Sequence, residues 1–255
     1  MRQLIYKCFP IKCIPNECSP PYQDLEYSAG WEDYKNMGIA LIGTWASWKL
    51  PGKRLSAFTA ENLEEFRKLA DLSEMTLGFN SLSFDDALIR TFGIELASDR
   101  DLLREIIAET VNPKLSTQAK KYTEYTELIA RYPIAAEYSL SALALANLPS
   151  VQIAKESVSV LWQKQRYQEA IRSCLHQVLL IKKLDALHRR ERLFDPVCGR
   201  PVSHKFPIPV PTPSLFCKLV AFALGAFWRK DGQYAYLRSF ADYEHYAFLC
   251  HQYSQ

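Results

Sequence analysis

The chain has 255 residues, of which 48% are hydrophobic and 23% are charged. This apolar content is enough to bury a sizeable core, so the composition excludes a disordered chain. The formal net charge of +3 is too small to predict nucleic-acid binding by itself. Seven cysteines, an odd number with no Cys-x-x-Cys pair, indicate free thiols in a reducing compartment. Because the N-terminal residues contain no apolar run of signal-peptide length, we expect a cytoplasmic protein, and we expect no zinc site.

Apolar periodicity predicts the order of the elements along the chain. Strands are expected at 3–14, 37–49 and 54–58, then a helix at 60–72, a strand at 75–79 and a helix at 84–92. Further helices are expected at 98–109, 116–131, 138–147, 153–163 and 166–188. Residues 37–45 suit a strand buried on both faces, and Thr59 is the expected N-cap of the helix that follows it. The order predicts an α/β protein with a sheet flanked by helices.

The composition changes after residue 205. Residues 206–213 carry a proline at every second position, which is typical of an extended linker. The apolar run at 215–228 is shorter than the roughly 20 residues that span a bilayer as a helix, so a buried helix is expected and no membrane segment. Aromatic and cationic residues fill the rest of the tail. We therefore divide the chain into a domain at 1–205 and a helical, aromatic C-terminal extension at 206–255.

Residues 78–89 read Gly-Phe-Asn-Ser-Leu-Ser-Phe-Asp-Asp-Ala-Leu-Ile. This segment resembles the second motif of the DEDD-type 3′–5′ exonucleases, which have the ribonuclease H-like fold. Residues 138–148 are similar to another helix of that family, and residues 167–184 resemble the helix that normally ends Tyr-Cys-x-x-Asp-Val. Together these pieces cover roughly residues 4–203. The resemblance implies a ribonuclease H-like mixed β-sheet flanked by helices.

The resemblance also implies a degenerate active site. In the family, the carboxylate matched by Asp85 joins carboxylates from three other segments to hold two divalent metals at a nucleic-acid phosphate. The family's opening strand, Phe-Asp-Ile-Glu-Thr-Ile-Pro, is matched by residues 9–15, which places Pro10 and Lys12 at the two carboxylate positions. Gln177 stands at the fourth. A two-metal site needs several converging carboxylates, so Asp85 alone predicts no metal and no catalysis.

Some residues of the matched segments keep a second interpretation. Ser173, or less well His176, matches the family's water-orienting Tyr or His, but a histidine among apolar helix residues is usually structural. Asp85 is more simply interpreted as the cap of the helix beside it. Asn80 and Asp86 fit turn and cap positions as well.

An alternative alignment would restore activity. Asp24 and Glu26 form an Asp-x-Glu element that, with Asp85 and Asp86, would give a rearranged site for Mg²⁺ or Mn²⁺. Against it, Pro and Gly clusters flank Asp24 and Glu26 and favour a loop. Glu17 is a weaker candidate for the same position, because prolines flank it too.

Cations concentrate between residues 182 and 205, as expected of a phosphate-facing surface. A solvated helix end, favoured by the helix dipole, is the alternative interpretation. Lys12 would repel a metal but attract a phosphate. The residues predicted to contact nucleic acid are Lys12, Asn80, Lys182, Lys183, Arg189, Arg190 and Arg192. The favoured hypothesis is a pseudoenzyme that binds DNA or RNA or acts as a scaffold subunit of a nucleic-acid-processing assembly. An active exonuclease and a purely structural protein-interaction module are the alternatives.

Overall fold

The computed structural model describes residues 1–15, 24–111 and 138–202. The strands in these ranges are β1 (Gln3–Pro10), β2 (Ile39–Ala46), β3 (Leu55–Phe58), β4 (Met75–Gly78), β5 (Arg100–Asp101), β6 (Phe194–Asp195) and β7 (Arg200–Pro201). The α-helices are α1 (Tyr34–Met37), α2 (Leu63–Asp71), α3 (Asp86–Arg90), α4 (Leu102–Val111), α5 (Leu140–Asn147), α6 (Val158–Gln163) and α7 (Tyr167–His188). A 3₁₀ turn covers Ala60–Asn62 and a π-helical turn covers Ser81–Asp85. The helix predicted at 116–131 and the extension at 206–255 lie outside the described residues.

Five strands form one mixed sheet in the order β3-β2-β1-β4-β5. Strand β1 is antiparallel to β2 and parallel to β4, while β2 is antiparallel to β3 and β4 is parallel to β5. Helices flank the sheet, so the predicted α/β class with a mixed sheet is confirmed, and the topology is compatible with a ribonuclease H-like fold. Within the described ranges, no helix is both long enough and apolar enough to cross a membrane.

Several element boundaries differ from the sequence prediction. Strand β1 ends at Pro10, where the pairing with β2 shifts register and the proline offers no N–H to the ladder. The helix expected at 98–109 begins only at Leu102, because the two residues before it form β5. The helix expected at 153–163 begins at Val158, where the Ser157 hydroxyl accepts the Val160 N–H as an N-cap. Thr59 precedes the 3₁₀ turn before α2, as expected of a cap residue.

Apolar layers cover both faces of the sheet. On one face, Ile5, Trp45 and Leu77 pack with helices α4 and α7. On the other, Leu4, Tyr6 and Cys8 of β1 pack with helices α2 and α3. All eight residues of β2 are buried, which confirms the prediction of a strand covered on both faces. The alternation along β1 decides which side chains face α7, and Lys7 is among them.

Helix α7 lies close against the sheet because Gly43 has no side chain. A Cβ atom at Gly43 would come within 2.6 Å of the Cys174 sulfur and 2.9 Å of Val178 Cγ2. Further along the helix, the Lys182 ammonium lies 4.6 Å from the centre of the Trp45 ring. Gly43 pairs with Lys7 and Trp45 with Ile5, so α7 runs antiparallel to β1.

A buried ion-pair network fixes the C-terminal half of α7. The fully buried Arg100 guanidinium donates to both Glu105 oxygens, at 2.8 and 2.5 Å, and to Asp185 at 2.8 Å. His188 Nε2 lies 2.8 Å from a Glu109 oxygen. The network therefore ties β5 and α4 to α7 by charge.

Gly43→Ala should force α7 away from the sheet and lower the free energy of unfolding by about 1–3 kcal/mol, the usual cost of overpacking. Urea unfolding measures the change. Gly30→Ala is the matched control: no atom lies within 4 Å of its added Cβ, so its effect should stay within about 0.5 kcal/mol. Adding Cys174→Ala to Gly43→Ala should recover part of the loss. Equal effects of the two glycine substitutions would contradict this account of the packing.

Candidate functional site

A buried ion pair joins the central strand to the turn after β4. The Lys7 ammonium donates to both Asp85 carboxylate oxygens at 3.0 Å and to the Phe79 carbonyl at 3.2 Å. The Cys8 N–H donates to Asp85 Oδ1 at 3.2 Å. The Asp85 side chain is fully buried, while 15% of the Lys7 side chain is exposed. The Asp85 carboxylate is thus neutralised by the protein's own cation.

The local sequence shapes the turn that carries Asp85. Asn80 has a φ of 59°, in the left-handed region. The buried Asp101 carboxylate accepts the N–H groups of Asn80 and Leu82, at 2.9 and 3.1 Å. Gly78 is required because a Cβ there would come within 2.2 Å of the Ser81 Cβ. Asn80 is therefore a turn residue, which agrees with the simpler of the two interpretations of this position.

Burial dominates the electrostatics of these carboxyl groups. It raises the pKa of Asp85 to about 7, against the opposing effect of the Lys7 charge and its hydrogen bond. It also raises the pKa of Asp101 to about 6, against the N–H groups of Asn80, Leu82 and Arg104. Burying a carboxyl disfavours its charged form, so Asp85 needs Lys7 beside it to ionise near neutral pH.

Asp85 and Asp86 point to opposite faces of the sheet. Asp85 bonds to Lys7, whereas Asp86 accepts hydrogen bonds from the Tyr6 hydroxyl and from the Ser98 N–H, the latter at 2.8 Å. Because successive strand residues project to opposite faces, Tyr6 and Lys7 draw the two carboxylates apart. Neither aspartate caps a helix through its side chain. The cap role favoured for Asp85 is therefore wrong.

The first strand presents Lys7 to Asp85, and not the residues aligned from the sequence. Pro10 lies at the end of β1, where its carbonyl accepts the Ser159 hydroxyl at 2.7 Å. Lys12 lies beyond the strand, with its ammonium 3.9 Å from a Glu26 oxygen. The residue of the opening segment that contacts Asp85 is therefore Lys7, five positions before Lys12.

Helix α7 presents Cys174 toward the ion pair. Burial raises the pKa of the Cys174 thiol, and the nearby Lys7 charge opposes that rise. Ser173 and His176 lie on a different side of the helix, where both line a cleft with residues 152–156. Gln177 is partly buried. The structure therefore does not bring Ser173 or His176 to Asp85.

The carboxylates of the alternative alignment are not brought together. Glu26 is 76% exposed and faces Lys12, Asp24 is exposed, and Asp85 and Asp86 are buried with other partners. Across residues 1–15, 24–111 and 138–202, no group of three or more His, Cys, Asp or Glu side chains could hold a metal ion.

The predicted basic cluster is only partly a free surface. Lys182 packs on Trp45, and Arg189 forms an ion pair with Asp185 at 2.8 Å. His188 is fully buried. The exposed cations of this region are Lys183, Arg190, Arg192 and Arg200, while residues 204 and 205 lie outside the described ranges. Because α7 is antiparallel to β1, this surface lies at the opposite end of β1 from Lys12.

Two buried charge interactions are not predicted from the sequence. Lys7 is not among the predicted site residues, although a single charged residue inside the apolar run Ile5 to Phe9 is a usable signal. The network of Arg100 gives no clear local signal, because Asp185, which links it to α7, is 85 positions away in the chain. No protein-family model matches the chain, and no curated protein or solved structure does. The site is therefore interpreted from its own geometry.

Asp85→Asn should flatten the dependence of stability on pH. The folded-state pKa of Asp85 is raised from 3.8 to about 7, so its stabilising contribution is complete below pH 4 and is lost as the pH rises toward 7. The wild-type free energy of unfolding should therefore fall between pH 4 and pH 7 by about 2–4 kcal/mol more than that of Asp85→Asn. Urea unfolding at several pH values measures the difference. Asp71→Asn, at an exposed position, is the control, and parallel curves for wild type and Asp85→Asn would contradict the assignment.

Proposed function

We propose that this protein is a catalytically inactive relative of the 3′–5′ exonucleases that binds nucleic acid, DNA or RNA, as a subunit of a nucleic-acid-processing assembly. The observation that carries the proposal is the Lys7 ammonium, 3.0 Å from both oxygens of Asp85. In the exonucleases that the sequence resembles, the corresponding carboxylate holds a metal. Here an ammonium group has taken the cation's place.

An ammonium ion neutralises a carboxylate but does not replace the metal chemically. Two-metal phosphoryl transfer requires cations that bind the attacking and leaving oxygens together. Lys7 supplies one fixed charge, and its contacts to Asp85 and the Phe79 carbonyl use its hydrogen bonds. Its positive charge also repels Mg²⁺ or Mn²⁺. We therefore expect no metal cofactor; an active site would need Mg²⁺ or Mn²⁺ held by carboxylates that lie apart in the described residues.

Exposed cations at the end of α7 support nucleic-acid binding. Lys183, Arg190 and Arg192 are all exposed there, and each can contact a phosphate. Charge contacts of this kind bind nucleic acid without reading its sequence. The free thiols of the described cysteines fit the expected reducing, cytoplasmic compartment.

A protein-interaction module is the second candidate, and a specific surface favours it. Leu145, Phe194 and Val197 are 62%, 39% and 40% exposed. The Asn147 side chain bonds to the Phe194 backbone N–H and carbonyl at 2.7 and 2.8 Å, which places α5 beside β6. Phe194 and Val197 are three residues apart in the segment that carries β6, and exposed apolar side chains that are neighbours can serve as a docking surface.

Binding of single-stranded DNA or RNA in EDTA should weaken as salt increases. Replacing Lys183, Arg190 and Arg192 together by Ala should reduce the slope of log K against log salt by about 2, since each lost phosphate contact removes roughly 0.7. Fluorescence anisotropy across a salt series measures the slope. A triple Ala variant at Lys35, Lys53 and Lys68, which are also exposed, controls for net charge. Binding without salt dependence, or equal slopes for the two triple variants, would overturn the proposal and favour protein docking.

Lys7→Asp should create a requirement for a cation at Asp85. Two facing carboxylates repel each other, so Mn²⁺ should raise the thermal unfolding midpoint of this variant, because a ligand that binds only the folded state stabilises it. The wild-type midpoint should not respond to Mn²⁺. Lys7→Asn, which adds no carboxylate, is the matched control. An equal Mn²⁺ response in the wild type would contradict the replacement of the metal by Lys7.

The same preparations test activity directly. End-labelled single-stranded DNA and RNA should remain intact with Mg²⁺ or Mn²⁺. Degradation by the wild type that is lost in Asp85→Ala would show a working exonuclease and overturn the proposal. Degradation that persists in Asp85→Ala would identify a contaminating nuclease and call for repurification before the comparison is repeated.

A further inference from the structure

A cleft of about 470 Å³ lies on the outer side of α7, away from the sheet. Its walls are the segment at 152–156, Leu161 of α6 and the N-terminal half of α7. This volume falls within the range of small-molecule sites, roughly 300–1,000 Å³. The Lys7–Asp85 pair does not line it, so the cleft is separate from the site described above.

Two residues that line the cleft each have a buried polar atom without a hydrogen-bond partner among residues 1–15, 24–111 and 138–202. One is the hydroxyl oxygen of Ser173, a residue that is only 8% exposed. The other is the Nε2 atom of His176. Buried polar atoms are normally paired, and each unpaired one has a cost in stability. Both residues line the same cleft, one turn apart on α7.

The tautomer of His176 defines what it can bind. Burial lowers the pKa of His176, so the ring is neutral near pH 7. The Gln152 backbone carbonyl accepts a hydrogen bond from the ring, and since Nε2 is unpaired, the donor is Nδ1. A neutral imidazole with its proton on Nδ1 has Nε2 as an acceptor. His176 therefore requires a ligand donor, such as a hydroxyl group, and would repel the lone pairs of a phosphate.

The rim of the cleft carries a small excess of positive charge. Lys155, Arg166 and Arg172 line it against Glu156 and Glu169. The two carboxylates are occupied: Arg166 donates to Glu169 at 2.7 and 2.6 Å and also to Glu156. Lys155 is exposed and forms no ion pair within the described part of the chain. The rim thus favours an anionic group on the ligand, next to the part of the cleft that Ser173 and His176 line.

We propose that this cleft binds a small phosphate monoester that also carries hydroxyl groups. A ligand hydroxyl donates to His176 Nε2 and a second polar group pairs with the Ser173 hydroxyl, while the phosphate lies at the rim near Lys155. Sugar phosphates and nucleoside monophosphates share this chemistry. The site goes beyond the proposed nucleic-acid binding and does not depend on it.

Isothermal titration calorimetry on the full chain tests the proposal by measuring the affinity for four probes. These are ribose 5-phosphate, adenosine monophosphate, adenosine and inorganic phosphate. Both monoesters should bind saturably and more tightly than adenosine or phosphate. The monoester that binds more tightly shows whether the ligand is a sugar phosphate or a nucleoside monophosphate. Ser173→Ala and His176→Phe should each weaken monoester binding about 3- to 10-fold, the effect of one neutral hydrogen bond. Lys155→Glu should weaken the monoesters but not adenosine, and Lys68→Glu, at an exposed position on α2, should change neither.

Stability measurements separate binding from folding. Ser173→Ala removes an unpaired buried hydroxyl, so its thermal midpoint should equal or exceed that of the wild type while its affinity falls. No saturable monoester binding at millimolar concentrations would overturn the site. Unchanged affinity in both Ser173→Ala and His176→Phe would do the same, as would inorganic phosphate that binds as tightly as the monoesters. None of these outcomes bears on binding at Lys183, Arg190 and Arg192, so the two proposals fail separately.

Discussion

The ion pair between Lys7 and Asp85 is the interaction on which the candidate site depends. It joins the central strand to the turn that follows β4, and its carboxylate is fully buried. A buried carboxylate without a partner would cost about 3–5 kcal/mol. The Lys7 ammonium neutralises this carboxylate from within the chain. Under the proposed function, the same lysine both stabilises Asp85 without a metal and removes the metal's chemistry.

Helix α7 is positioned by two different kinds of contact. Its N-terminal half approaches the sheet at Gly43, where only a residue without a side chain leaves room for Cys174. Its C-terminal half is held by Asp185 and His188 in the buried charge network of Arg100. Both halves of α7 are therefore anchored to other elements of the described structure. The cleft at Ser173 and the exposed cations lie toward opposite ends of this helix.

The apolar periodicity of the sequence predicted the order and type of most described elements, and it predicted the burial of β2 on both faces. It did not predict which residues meet at the candidate site. Lys7 and Lys12 both stand among apolar residues, and only the pairing of Lys7 with Gly43 and the position of the turn after β4 decide which one meets Asp85. Asp85 has the local sequence of a helix cap, but its partner is 78 positions away in the chain. Contacts of this range depend on the register of strands, which residue spacing does not encode.

The distance along α7 separates the ion pair from the exposed cations. Cys174 lies near Lys7 and Arg190 lies just past the end of the helix, which at 1.5 Å per residue places them about 24 Å apart along its axis. A phosphate held by Arg190 is therefore far beyond contact with Asp85. In a metal-dependent exonuclease, by contrast, the reacting phosphate must lie on the metals. Nucleic acid bound at the end of α7 would leave the ion pair intact, so binding there needs no carboxylate site at all.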